Sequence, residues 1–69
     1  MKLKYFREWI VSNYAKSDGA VGDLARDVKS DARFPGRAID ESVILGYLRS
    51  RGVCDAAMET FSQAWAFMN

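Results

Sequence analysis

The chain has 69 residues, 49% of them apolar and 13% aromatic, with a net charge of +1. That length suits one domain of marginal stability, burying about 60% of its unfolded surface, and the composition excludes a disordered chain. The near-neutral charge does not by itself call for a nucleic-acid or membrane partner. With no histidine and one cysteine, His-based acid–base catalysis, Ser-His triads, Cys-His dyads, an intramolecular disulfide and single-chain zinc or iron–sulfur sites are all ruled out.

Four helices are predicted, near residues 3–15, 20–31, 40–51 and 55–67, with no strand, because no stretch alternates with period two. In the first, Leu3, Phe6, Ile10 and Tyr14 recur at helical spacing and Trp9 widens the stripe, whereas Tyr5 and Val11 fall off it. Lys2, Lys4, Arg7 and Lys16 against Glu8 make this segment basic. Ser17-Asp18-Gly19 is a turn signal, with Asp18 or Gly19 expected to cap the second helix. There Val21, Leu24, Ala25 and Val28 form the inner face. Asp23, Asp27 and Asp31 recur every fourth residue. Three carboxylates in a row raise the idea of a metal or acid–base site, but a solvated face screened by Arg26, Lys29 and Arg33 explains Asp23 and Asp27 better. Asp31 is expected to cap or brace the turn that follows.

Pro35 disfavours a helical conformation at Phe34, so a Phe-Pro turn separates the second and third helices, with Phe34 as a core plug. Asp40 is the expected N-cap of the third helix, and Ile39 and Ile44 have the spacing of a hydrophobic staple. Val43, Ile44, Leu45, Tyr47 and Leu48 span an arc of roughly 200°, which predicts a helix lying among the others. Gly52 should stop it in the left-handed C′ conformation. The fourth helix is expected to start with Asp55 as N-cap. Ala57, Met58, Phe61, Ala64, Trp65 and Met68 share an arc of roughly 120°, with Trp65 as packing centre, helices one and three as its walls, and Phe67 pointing away. Cys54 precedes this helix. A small half-buried filler is the reading preferred over a reactive thiol activated by the helix N-terminus.

The string Gly22-Asp23-Leu24-Ala25-x-Asp27, then Asp31-x-x-Phe34-Pro35, Tyr47-Leu48 and Phe61-x-x-Ala64-Trp65, resembles the YozE-type family of sterile-alpha-motif-like (SAM-like) domains. Phe6 and Trp9-Ile10 are similar to that family's opening. The resemblance covers nearly the whole chain. It implies an all-α, compact four-helix SAM-like orthogonal bundle in a single domain over residues 1–69. It implies no activity, since the family consists of small bacterial proteins without an assigned function. One departure is that no charged tail follows the fourth helix.

The functional expectation is a small non-enzymatic interaction module with no cofactor and no metal. No apolar run approaches the roughly 18 residues of a membrane span, and no signal-peptide core is visible, so a cytoplasmic protein without a membrane partner is expected, as a monomer or weak homodimer. Its partner is expected to be a protein, met through the leftover apolar residues Tyr5, Val11 and Phe67. The alternative is a nucleic-acid-binding module that uses Arg33, Arg37, Arg49 and Arg51, which the Phe-Pro turn and the end of the third helix could bring to one side. Pairing of those arginines with Asp31, Asp40 and Glu41 is the plainer reading.

Overall fold

A computed structural model describes residues 5–68. Leu3, Lys2 and Lys4 of the sequence expectations lie outside them. Four helices follow one another, α1 (Phe6–Tyr14), α2 (Gly19–Ser30), α3 (Glu41–Ser50) and α4 (Asp55–Met68), with no strand among the described residues. The first helix begins later than its periodicity suggested: Tyr5 is extended, with φ −103° and ψ 138°, and serves as N-cap. Asp31 likewise lies beyond α2 in an extended conformation. Asp18 and Asp40 occupy the N-cap positions of α2 and α3, but neither side chain bonds the first turn. Asp55 is not a cap. It is the first residue of α4, and the Cys54 carbonyl accepts the opening bond from the Met58 N–H at 3.0 Å. A carboxylate in that first turn is still favoured by the helix dipole.

Gly52 ends α3 at φ +73°. Its N–H bonds the Arg49 carbonyl at 3.0 Å, and the Val53 N–H bonds the Leu48 carbonyl at 3.2 Å. Both bonds of a Schellman motif are therefore made. The motif folds Val53 back against the core and leaves Cys54 exposed. The half-buried filler expected at Cys54 is thus corrected: the residue taking that place is Val53.

The bundle is tight, with a Cα radius of gyration of 10.8 Å, against about 11 Å expected for this length. α2 packs on α1 and α4, and α4 also touches α1 and α3. The main wall for α4 is therefore α2, not α1 and α3 as the apolar patterns implied. Ten side chains among the described residues make one core: Phe6 and Ile10 from α1; Leu24, Ala25 and Val28 from α2; Phe34 from the turn; Ile44 and Leu48 from α3; Phe61 and Ala64 from α4. Phe6 is the hub. Its ring meets Phe61 edge-on at 4.9 Å between centroids and lies 5.9 Å from both Trp9 and Trp65 and 6.5 Å from Phe34. Edge-on and tilted rings at these separations add attraction beyond their burial.

Two expectations about burial change. Phe61, fully buried, is the packing centre of α4, and Trp65 one turn later is only half-buried. And α3 lies at the periphery. Ile44 and Leu48, one turn apart, face inward, whereas Val43 is 50% and Ile39 60% exposed. The expected staple does not carry Ile39 into the core with Ile44. An arc of roughly 200° is wider than the contact one neighbouring helix can cover, so its edge stays wet.

Candidate functional site

The Phe-Pro turn is held by Asp31. Its Oδ1 accepts the Arg33 backbone N–H at 3.0 Å, the local bond that makes aspartate a turn residue. The Phe34 N–H bonds the Asp31 carbonyl at 3.2 Å, and the Ala38 N–H bonds the Pro35 carbonyl at 3.1 Å. Phe34 is thereby set against the Tyr47 ring, edge-on at 5.7 Å.

The other oxygen of Asp31 reaches α3. Tyr47 donates its hydroxyl hydrogen to Oδ2, and Arg51 Nη1 donates to the same oxygen at 2.6 Å. Arg51 Nη1 also donates to the Tyr47 hydroxyl oxygen at 2.9 Å, and its guanidinium carbon lies 5.8 Å from the Tyr47 ring centre. Each group uses the capacity it has: tyrosine one donor and one acceptor, arginine donors only, carboxylate acceptors only. The Tyr47 hydroxyl, the Arg33 amide and the Arg51 guanidinium hold the Asp31 carboxyl below the usual carboxylate range, against the opposing effect of burial. Tyr47 and Asp31 in turn raise Arg51. The three side chains clasp the turn to α3.

Beside this clasp runs a groove of about 370 Å³, floored by Leu24, Val28, Phe34 and Leu48, with Asp27 and Arg51 on its rim. Asp23 pairs with Arg26 at 2.5 Å and Asp31, beyond the end of α2, with Arg51, so these two aspartates are drawn to different cations.

The four arginines singled out in the sequence do not share one role. Arg51 is bound in the clasp, and Arg33 meets Asp31 only through its backbone. The side chains of Arg33, Arg37 and Arg49 are exposed and make no ion pair among the described residues, with Asp40 and Glu41 in particular left unengaged. Of the apolar candidates, Phe67 is 80% exposed on the outer side of α4, whereas Tyr5 and Val11 are half-buried, Val11 packing against the core. Ile39 and Val43 carry no surface signature in the sequence, since their spacing matches a staple and an inner face.

A family model of the YozE SAM-like fold matches residues 6–67. The chain belongs to the YozE SAM-like family. Neither comparison with curated proteins nor comparison with solved structures gave a match. The match covers α1 to α3 and all but the last residue of α4, and the YozE SAM-like motif residues now have physical roles: Leu24, Ala25, Phe34, Leu48, Phe61 and Ala64 are core, and Asp31 with Tyr47 forms the clasp. Gly22 is explained by close approach. A Cβ there would lie 1.9 Å from the Ser17 carbonyl oxygen, which instead accepts from Arg26 Nη1 at 2.8 Å. Among the described residues of this YozE SAM-like domain, no helix is long and apolar enough to cross a membrane.

Proposed function

We propose that this domain is a non-enzymatic protein-interaction module acting in the cytoplasm, as a monomer or weak homodimer. The supporting observation is the large apolar side chains of Ile39, Val43 and Phe67, 60%, 50% and 80% exposed outside an otherwise closed core. Exposed apolar side chains of this size lose contact with water when a partner covers them. Val43→Ser and Phe67→Ser should alter folding by no more than about 0.5 kcal/mol, as usual for surface positions. Immobilised wild-type protein should capture a protein that both variants, with unchanged melting curves, fail to hold. Equal capture by wild type and variants would overturn this reading.

A second reading has one observation in its favour: Arg33, Arg37 and Arg49 are exposed cations without ion pairs among the described residues. Nucleic-acid binding through them would weaken steeply with salt, which a titration against DNA and RNA measures. Binding to an apolar partner surface would not.

A further inference from the structure

A second concave surface lies between α1 and α2. Arg7 and Val11 are one turn apart on α1, and Arg7 Nη2 donates across to the Lys29 carbonyl of α2 at 3.5 Å. Two hollows, of about 350 and 490 Å³, meet over Val11, Ser12 and Lys29. Arg7 and Glu8 line the first, and Lys16 and Arg26 the second. Four cations thus face one carboxylate. Arg26 is engaged by Asp23 and by the Ala15 and Ser17 carbonyls. Lys16 and Lys29 are exposed and have no ion-pair partner among the described residues. The positive charge is therefore available, and a half-buried aliphatic side chain, Val11, sits midway along it.

We infer that the α1–α2 groove binds an acidic peptide segment carrying an aliphatic side chain between carboxylates. This rests on the reading of the domain as a protein-interaction module, and it uses residues other than Val43 and Phe67. Charge selects the partner: carboxylates spaced along an extended chain meet Arg7, Lys29 and Lys16, and complementary potentials of this kind raise both specificity and association rate. Val11 fixes the register by covering the aliphatic side chain between them. Single-stranded nucleic acid is the less suited polyanion, because its sequence-tolerant binding relies on aromatic platforms for the bases and no aromatic side chain lines either hollow.

The test is an NMR titration of isotope-labelled protein with a synthetic peptide of one leucine flanked by glutamates. Its serine counterpart, an all-lysine peptide and oligothymidylate serve as comparisons. The expected result is shift changes clustered at Arg7, Val11, Ser12 and Lys29, with affinity falling as salt rises. The Lys16→Glu, Lys29→Glu double variant should bind about tenfold more weakly, as loss and reversal of close interfacial charges imply. Replacing leucine by serine in the peptide should cost about fivefold, the contribution of one partly buried aliphatic side chain. Absence of shifts at these residues, undiminished binding by the double variant, or equally tight binding of oligothymidylate at the same residues would overturn the inference. The two proposals fail separately. If the peptide does not bind but Val43→Ser and Phe67→Ser still abolish capture, the interaction module stands and the acidic-peptide groove falls.

Discussion

Gly22 and Gly46 both sit inside helices, yet substituting them should have opposite effects. A Cβ on Gly22 would collide with the Ser17 carbonyl at 1.9 Å, whereas one on Gly46 would meet nothing within 4 Å. Gly22→Ala should lower stability by about 1–3 kcal/mol, as overpacking does. Gly46→Ala should raise it by about 0.5–1 kcal/mol, through higher helix propensity and a less flexible unfolded chain. Urea denaturation measures both, and changes of the same sign would contradict the close contact. Asp31 sets a pH dependence. Its native pKa is lowered from 3.8 by the Tyr47 hydroxyl first, then by the Arg33 amide and Arg51. A lowered carboxyl pKa contributes stability that is present above the unfolded value and lost as pH falls through the native one. Tyr47→Phe removes the largest cause. Wild type should melt higher than the variant at neutral pH, and the gap should narrow as pH drops below 3.8. Parallel melting temperatures across that range would refute the role given to Tyr47.

The helices differ in how much of their apolar surface the bundle covers. In α4 the inner arc is narrow and its centre, Phe61, is fully enclosed by the ring of Phe6 and the helices around it. Trp65 is half-buried, with its ring tilted against the rings of both. Phe61→Ala should therefore cost about 3–5 kcal/mol, the range for losing a large buried ring, and Trp65→Ala distinctly less. A larger loss for the tryptophan would put the packing centre back at Trp65. In α3 the arc is broad and the cover is thin. Ile44 and Leu48 bind it to the core, while the Schellman turn and the Asp31 clasp secure its far end.

Across the whole molecule, one core draws on every helix and on the Phe-Pro turn. A domain of this size holds only about 5 kcal/mol or somewhat more of net stability, so loss of one element is loss of the fold. α4 supplies Phe61 and Ala64 and contacts each of the other three helices. Residues 1–54 alone should show no cooperative thermal transition by circular dichroism. A sharp transition in that fragment would make α4 an appendage and would move the search for a partner surface onto it.

Four helices, the glycine stop at Gly52 and the Phe34 plug are legible in the chain alone. These follow from period, from the restriction proline places on the residue before it, and from glycine's access to positive φ, all of which act over a few neighbouring residues. Local pattern leaves open which side of a broad apolar arc is covered, so it points Val43 and Ile39 inward and puts Trp65 ahead of Phe61. Asp31 was legible as a brace for its own turn, but its partners Tyr47 and Arg51 stand 16 and 20 residues away, and no local pattern joins them. The α1–α2 groove exists only once two helices approach at one particular rotation. Periodicity specifies a helix's apolar face but not the neighbour it meets or how far around that neighbour reaches, and that choice belongs to the packing of all four helices together.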